Sequence, residues 1–269
     1  MQQNSIFEKI KEKDFYELLG MCPSYSGVDK KLYFNEYKKH VENHLKKERV
    51  ESRLKALEGR WYRSLSGQAL PDYSVYNDPF YICDIWLCWT TYSRKGLLSI
   101  RNDKSLVSKS IVSLIGDNKT IVDLGCGFGY TTAGLKELFK NSRVFGTNLK
   151  TSYQFNIAKD IGDKRGFEVI ENTDNLPKID VVFASEYFEH IMNPIEHMYK
   201  ILKKNPKYLI IANGFNGMAI GHFNYYEHIG KKYSASNMNI MFNKSLKMLG
   251  YEKIKTKIWN NRPAFWIKK

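Results

Sequence analysis

Apolar residues follow two different patterns along the chain, and the change falls close to residue 105. Before it, apolar positions recur every three or four residues, as at Leu57 and Trp61, which is the spacing of amphipathic helices. After it, short apolar runs of strand length alternate with helical stretches. The pattern therefore predicts a helical cap over residues 1–104 and an α/β domain with a mostly parallel sheet over residues 105–269.

The cap region is predicted to contain three helices separated by turns. An amphipathic pattern covers residues 1–20, and a longer one runs over residues 28–65 with many lysines between its apolar stripes. Residues 67–78 carry paired proline and aspartate turn signals and form a predicted loop. Residues 80–98 are dense in apolar and aromatic side chains, which predicts a helix buried beneath the cap.

The second part of the chain predicts five successive strands and a terminal hairpin. The predicted strands are Thr120 to Leu124, Arg143 to Thr147, Phe167 to Ile170, Ile179 to Ala184 and Tyr208 to Ala212. The predicted helices cover residues 106–115, 131–139, 152–161, 194–202 and 236–249, and the hairpin covers residues 251–267. Strands that alternate with helices in this way are typical of a doubly wound sheet.

The first predicted strand runs directly into a turn with three glycines, Gly125, Gly127 and Gly129. Glycines let a ligand approach the backbone, and the helix that follows offers free N–H groups at its start. The spacing is G-x-G-x-G, and Tyr130 occupies the place of the last glycine in the dinucleotide-binding G-x-G-x-x-G. Asp123, at the end of the strand, would repel a pyrophosphate but suits a cationic amino group.

The stretch V-D-L-G-C-G-F-G resembles motif I of the class I S-adenosylmethionine-dependent methyltransferases. The resemblance covers about residues 105 to 269. It implies a Rossmann-like, seven-stranded, mostly parallel sheet with helices on both faces, and an antiparallel terminal pair of strands. It also implies S-adenosylmethionine as the cofactor.

The same resemblance indicates which residues bind this cofactor. The family places an acid after the second strand for the ribose hydroxyls, where this chain has Asn148, and another before a Leu-Pro pair for adenine, where it has Asn172. An asparagine can still form hydrogen bonds at both positions. The implied cofactor contacts are Asp123, Gly125, Cys126, Gly127, Asn148, Leu149, Asn172, Thr173 and Ser185. The alternative is a degenerate fold without catalytic activity, because the acid is missing twice.

Glu186, Glu189 and His190 follow the fourth predicted strand with the spacing E-x-x-E-H. Two carboxylates and an imidazole on one helical turn can hold a hard divalent cation such as Mg²⁺. The pattern resembles the ubiquinone-pathway O-methyltransferases and the small-RNA 3′-terminal 2′-O-methyltransferases, which add a later histidine. His222 is the candidate for that histidine, with His228 second. The alternative is a metal-free site in which Glu189 and His190 are catalytic and His190 acts as general base.

Composition adds a strong positive charge, since 42 Lys and Arg residues against 28 Asp and Glu residues give a net charge of +14. Such a charge favours nucleic acid or an acidic substrate as partner, but it can also simply solvate the surface. The basic and aromatic stretch around Arg94-Lys95 and Arg101 is a candidate nucleic-acid surface. The four cysteines form no C-x-x-C pair and no run of about 18 apolar residues exists, so we expect a cytoplasmic protein without a membrane span.

These observations predict an enzyme that transfers a methyl group to an oxygen, and less readily to a nitrogen, of an unidentified small molecule. The first alternative is an RNA or DNA methyltransferase that contacts phosphates through its basic cap. The second is a non-catalytic, basic nucleic-acid-binding protein on a degenerate methyltransferase fold. The sequence has no D-P-P-Y or N-P-P-Y after the fourth strand and no placed cysteine nucleophile, which argues against the usual routes of DNA base methylation.

Overall fold

The computed structural model of the chain describes residues 50–67, 70–78, 81, 110–254 and 264–269. Several predictions for the cap fall on other residues. The helix over residues 1–20, most of those over 28–65 and 80–98, the boundary at residues 104 and 105, and the basic stretch around Arg94, Lys95 and Arg101 lie outside the described residues.

A seven-stranded sheet forms the centre of the described residues. The strands are β1 (Thr120–Leu124), β2 (Arg143–Thr147), β3 (Glu168–Ile170), β4 (Val181–Ser185), β5 (Tyr208–Ala212), β6 (Tyr226–His228), β7 (Lys231–Tyr233), β8 (Tyr251–Ile254) and β9 (Ala264–Lys268). The sheet has the order β3-β2-β1-β4-β5-β9-β8, and β6 and β7 form a separate hairpin. Strands β1 to β5 are parallel, whereas β9 is antiparallel to both of its neighbours. This architecture confirms the predicted fold class.

The helices lie between the strands as the sequence predicted. They are α1 (Val50–Gly67), α2 (Ile111–Ile115), α3 (Tyr130–Leu138), α4 (Tyr153–Arg165), α5 (Pro194–Leu202) and α6 (Ala235–Met248). Three of them begin where a serine hydroxyl accepts a hydrogen bond from the N–H three residues later: Ser110, Ser152 and Ser234. This bond satisfies a donor that the helix itself leaves unpaired. Two short 3₁₀ helices cover Tyr73–Asn77 and Phe188–His190.

The hydrophobic core lies along the central strands. Every residue of β4 and β5 is buried, as expected of parallel strands that are covered on both faces. Trp61 of α1 joins the same core and is fully buried. This packing places α1 against the core of the sheet. None of the described helices combines the length and apolar character needed to cross a bilayer.

The structure differs from the predicted elements at several boundaries. The predicted helix start at residue 106 is wrong, because Ser110 has extended backbone and caps a helix that begins at Ile111. The helix after Ser152 continues to Arg165 and ends at Gly166, which adopts a left-handed conformation. The hairpin of β6 and β7 was not predicted, since its strands have three residues each and carry little alternation.

Candidate functional site

The glycine turn after β1 forms an open stretch of backbone at the carboxyl edge of the sheet. Gly125 and Gly127 have φ angles of +67° and +55°, in the region that side chains rarely adopt. A Cβ on Gly127 would meet only the side-chain oxygen of Gln154, at 3.5 Å, so space remains beside the backbone there. A Cβ on Gly125 would instead clash with the ring of Tyr187. The backbone of the turn is therefore accessible to a ligand at Gly127, whereas the Tyr187 ring covers it at Gly125.

Asn148, at the end of β2, uses both ends of its amide inside the protein. Its Nδ2 donates to the carbonyl oxygen of Gly127 at 2.8 Å. Its Oδ1 accepts from the backbone N–H of Leu149 at 2.8 Å and from the Ser152 hydroxyl at 3.4 Å. The residue therefore fixes the shape of the glycine turn, and its contact with a cofactor ribose stays a prediction.

Asp123 is buried at the end of β1, and its Oδ2 accepts a hydrogen bond from the Thr132 hydroxyl at 2.7 Å. Burial raises the pKa of this carboxyl to about 7, and the hydrogen bond only partly offsets that effect. A cationic group nearby would favour the ionised form. The environment is thus compatible with the amino-group contact that the sequence predicted.

The other predicted cofactor residues lie at the same carboxyl edge of the parallel sheet, because they follow or end β1 to β4. Leu149 is half exposed and Thr173 is buried. Cys126 is buried too, against Gly146 of β2. The Asn172 Oδ1 accepts from the N–H of Asp174, and the Ser185 Oγ is buried without a hydrogen-bond partner.

Glu186, Glu189 and His222 form a cluster that we call the trio. One potential ligand atom from each residue lies within 4.8 Å of those of the other two. Glu186 directly follows β4 and has a left-handed φ of 51°, and Glu189 lies in the following 3₁₀ helix. The predicted single α-helical turn for E-x-x-E-H is therefore wrong, because a kink and a tighter helix orient these side chains. The structure brings three of the four predicted metal ligands together.

The carboxylate of Glu189 is fully buried and incompletely bonded. Its Oε1 accepts from the backbone N–H of Gly214, whereas its Oε2 has no hydrogen-bond partner. Burial and the neighbouring Glu186 carboxylate raise its pKa well above the usual range. A Cβ on Gly214 would lie 2.8 Å from a Glu186 oxygen and 3.0 Å from a Glu189 oxygen. The glycine therefore allows both carboxylates to approach one point.

His222 presents one defined nitrogen to the trio. Its Nδ1 donates to the carbonyl oxygen of Gly217 at 2.6 Å, which leaves Nε2 as the unprotonated nitrogen of the neutral ring. Burial lowers its pKa, so the neutral ring is the form present near neutral pH. Its own carbonyl oxygen accepts from the Trp61 indole N–H at 2.5 Å. These bonds orient the imidazole as ligand-supporting contacts do in metal sites.

His190 lies beside the trio and not within it. Its ring meets that of His222 edge to face, with centroids 4.8 Å apart, and its Nδ1 is 3.1 Å from the Tyr76 hydroxyl. Desolvation lowers the pKa of His190 to about 3, with a further contribution from His222. His228, the second candidate for the later histidine, instead pairs with Glu196 at 2.6 Å. The role of His190 as a fourth ligand or a base stays a prediction.

The sequence analysis missed the two aromatic residues that support the histidines from the N-terminal part of the chain. Trp61 donates to His222, and Tyr76 contacts His190. A Cβ on Gly221 would clash with Tyr76 and with His190. The available signal was the run of glycines after β5, at Gly214, Gly217 and Gly221, which marks close approaches of backbone to side chains.

A cavity of about 680 Å³ adjoins the trio. Glu186 and His222 line it together with the segment after β5, one face of α6 and parts of β8 and β9. Its polar side chains outside the trio are Asn213, Asn216, Asn239, Asn243 and Lys253. Its volume is in the range of small-molecule sites.

The seven-stranded sheet consists of five parallel strands, β3-β2-β1-β4-β5, followed by β9 and β8, and β9 is antiparallel to both of its neighbours. The glycine turn directly follows β1. This strand order is the one that the resemblance to the class I methyltransferases implies. The cluster of carboxylates and imidazole lies at the carboxyl edge of the sheet, where ligands bind in doubly wound sheets.

No family model matches the chain. A protein of Invertebrate iridescent virus 6 named "Putative methyltransferase 235L" is 29% identical to it over 132 residues, which are 46% of this chain and 48% of that protein. The chain thus spans about half the length of this curated relative.

Solved structures with a similar fold are related only distantly in sequence. An O-methyltransferase family 2 protein from Planctomyces limnophilus, in complex with apigenin, has a TM-score of 0.47 and 14% identity, with 77% of this chain and 64% of that one covered. The fibrillarin pre-rRNA processing protein of Methanococcus jannaschii has a TM-score of 0.46 and 14% identity, with 65% of this chain and 73% of that one covered.

Proposed function

We propose that this protein transfers the methyl group of S-adenosylmethionine to a hydroxyl oxygen of a small acceptor, at a site that also binds a divalent cation. The observation that carries the proposal is a shared sheet edge. The glycine turn follows β1, Glu186 follows β4, and these two parallel strands are neighbours. A cofactor at the turn and an acceptor beside the trio would therefore meet at one edge.

The glycine turn fits the cofactor that the fold implies. Open backbone at Gly127 and a buried carboxyl at Asp123 suit the methionine end of S-adenosylmethionine, and Asn172 and Thr173 would line its adenosine. The bound cofactor supplies an electrophilic methyl group on its sulfonium. The protein's part is to exclude water and to align the acceptor oxygen with that methyl group.

The trio fits a hard divalent cation. Two carboxylates and one imidazole nitrogen are ligands that Mg²⁺ or Mn²⁺ accepts, and the unpartnered Oε2 of Glu189 supplies an acceptor that lacks a donor. A bound cation would lower the pKa of an acceptor hydroxyl. Glu186, Glu189 and His222 would hold it, with His190 as the remaining predicted ligand.

The proton of the acceptor hydroxyl needs a base on this side of the sheet. Glu186 lines the cavity and belongs to the trio, so its carboxylate can accept the proton as the oxygen attacks the methyl group. With a pKa of about 3, His190 is a weak base near neutral pH. We therefore assign to His190, with Tyr76, the task of holding the His222 ring in place.

Methyl transfer from labelled S-adenosylmethionine to a metabolite extract, RNA and DNA tests this function. We expect transfer that needs Mg²⁺ or Mn²⁺ and stops with excess EDTA. Glu189→Gln should lower turnover about 100-fold while changing cofactor affinity less than about twofold, because the residue acts on the acceptor side. Glu252→Gln, on β8, is the control: Glu252 pairs with Lys269 and is not part of the trio.

Two outcomes contradict parts of the proposal separately. Full methyl transfer in excess EDTA would show that no divalent cation is needed, and the proposed methyltransferase activity would stand. If calorimetry finds no binding of S-adenosylmethionine, the proposed methyltransferase activity is wrong.

A further inference from the structure

The cavity beside the trio is polar, yet its polar side chains are mostly uncharged. Among the residues that the structure describes, four asparagines line it, together with Lys253 as the one cationic side chain and Glu186 as the one carboxylate. This lining differs from the whole chain, whose net charge is +14. Among the described lining residues, only Lys253 could pair with an anionic acceptor, whereas the amides suit uncharged hydroxyl groups. The charge of the cavity therefore favours a neutral acceptor over a phosphorylated one.

The asparagines are placed on two sides of the cavity. Asn213 directly follows β5, where the Ala212 carbonyl accepts from the N–H of Glu186 at 2.8 Å, so this amide stands next to the trio. Asn239 and Asn243 lie one turn apart on α6 and are joined by a hydrogen bond from the Asn243 amide to the Asn239 backbone oxygen at 2.7 Å. Asn216 bonds to Ser236. A ligand in the cavity would thus meet amides from opposite elements.

One of these amides lacks a partner. The Oδ1 of Asn213 is buried and forms no hydrogen bond. An unpaired buried amide oxygen costs free energy, so it indicates a donor that a ligand brings. The Oε2 of Glu189, within the trio, is also buried without a hydrogen-bond partner. A hydroxyl group can donate to Asn213 while a second hydroxyl of the same molecule reaches the trio.

Apolar surface supplies the rest of the lining. Phe215, Phe242 and Trp266, the last of them on β9, also line the cavity. Hydroxyls that point in several directions around a ring with apolar C–H faces match this arrangement of amides and aromatic rings. A flat aromatic acceptor with its polar groups on one edge would leave amides on the opposite side unpaired.

We infer that the methyl acceptor is a neutral saccharide, one hydroxyl of which lies at the trio while others bond to Asn213, Asn239 and Asn243. This inference rests on the proposed methyl transfer and specifies its substrate class. A hexose or pentose unit with its glycosidic neighbour fits a cavity of about 680 Å³.

The probes are the methyl glycosides of mannose, rhamnose, galactose and xylose, with methyl galacturonide as the anionic match of the galactoside. Catechol and a short RNA serve as acceptors of other classes. Transfer of labelled methyl is measured with Mn²⁺ present, and binding is measured by saturation-transfer NMR with S-adenosylhomocysteine. We expect binding and methylation of at least one neutral glycoside, and at least about tenfold weaker activity on the galacturonide than on the galactoside.

Matched variants tie the result to the cavity. Asn239→Leu and Asn243→Leu should each lower kcat/KM for the accepted glycoside about tenfold, with unchanged S-adenosylmethionine affinity, because each removes hydrogen bonds to the acceptor. Asn237→Leu, on the same helix and outside the lining, is the control. Asn213→Leu should lower kcat/KM for the accepted glycoside more than the other two variants do. Binding of the cofactor, measured by calorimetry, shows whether this variant has folded.

The outcomes are distinct. If catechol or RNA is methylated and no glycoside binds, the inference is overturned while the methyltransferase stands. The same follows if glycoside methylation is equal in the wild type, Asn239→Leu and Asn243→Leu. If neither S-adenosylmethionine binding nor any transfer is found, the proposed function fails and the inference fails with it.

Discussion

His190 is an ionisable side chain that the fold keeps neutral. Desolvation lowers its pKa from 6.5 to about 3. In the unfolded chain the same imidazole binds a proton below about pH 6.5. Between these values the unfolded state holds more protons than the folded one, so acidification favours unfolding. The stability that a neutral His190 contributes is therefore complete above about pH 6.5 and is lost as the pH falls towards 3.

This linkage gives a measurable difference between the wild type and His190→Gln. From about pH 7.5 to about pH 5, the wild type should lose about 2 kcal/mol more free energy of unfolding than the variant. Asp123 has a raised pKa and acts in the opposite direction, but it is present in both proteins and cancels. Urea unfolding at several pH values provides the measurement. Parallel pH curves for the two proteins would mean that His190 titrates normally.

Asn148 stands where the family that the chain resembles has an acid for the ribose hydroxyls, but its amide instead bonds to the glycine turn. Asn148→Asp should weaken S-adenosylmethionine binding about tenfold, because a carboxylate cannot donate to the Gly127 carbonyl and repels it instead. Calorimetry checks the affinity, and Asn237→Asp in the first turn of α6 is the control. A higher affinity in Asn148→Asp would show that the residue acts on the ribose, as the family resemblance implies.

Among the structural elements, the segment after β5 has the tightest steric requirements. Gly221 has a φ of +92°, and a side chain there would collide with Tyr76 and His190. Gly230 also has a left-handed φ, of +67°, but a Cβ there would meet nothing within 4 Å. A substitution at Gly230 therefore tests backbone strain alone, whereas a substitution at Gly221 tests backbone strain together with steric contact.

Gly221→Ala should lower the free energy of unfolding by about 3 kcal/mol, and Gly230→Ala by about 1 kcal/mol, since the first adds overpacking to the strain that both share. Denaturant unfolding at neutral pH measures both. Gly221→Ala should also weaken Mn²⁺ binding, because Tyr76 and His190 must shift. Equal losses of stability in the two variants would show that Tyr76 and His190 do not pack tightly against this glycine.

The strands of the sheet were largely predictable from the sequence. The local geometry of the E-x-x-E-H stretch was predicted wrongly, because contacts with distant residues decide it. The bounds of β1, β2 and β5 match the predicted strands because most residues of these parallel strands are buried and form short apolar runs. The E-x-x-E-H stretch carries an α-helical spacing, but Glu186 takes a left-handed conformation that allows Glu189 to reach Gly214. Tertiary contacts decided that local geometry, and a periodic pattern does not encode them.

At the scale of the whole molecule, the candidate site joins distant parts of the chain. The sequence predicted Glu186, Glu189, His190 and His222 as one group, from the E-x-x-E-H spacing and from the family resemblance that adds a later histidine. The structure groups all of them except His190. The sequence did not predict that Trp61 and Tyr76 support the histidines, since no spacing relates them to the later residues. The asparagine-lined cavity was also missed, because its members come from separate elements that only the fold brings together.

Trp61 tests this long-range support. Trp61→Phe removes the hydrogen bond to the His222 carbonyl but keeps an aromatic ring in the core, so Mn²⁺ affinity should fall about tenfold while S-adenosylmethionine affinity changes little. Tyr62→Phe, which removes a long 3.4 Å bond to Ala219, is the matched control. Titration of Mn²⁺ by electron paramagnetic resonance gives the affinities. Unchanged Mn²⁺ affinity in Trp61→Phe would show that the trio does not depend on the hydrogen bond from Trp61 to His222.

The hydrogen bond between Trp61 and His222 joins residues 161 positions apart, which has a consequence for the order of folding. Closing so long a loop costs more chain entropy than pairing neighbouring βα units, so the sheet can assemble first. The imidazole of the trio then gains its support only when α1 docks. Completion of the candidate site is in this sense a late folding event, and a nascent chain can carry a formed sheet well before the trio has its support.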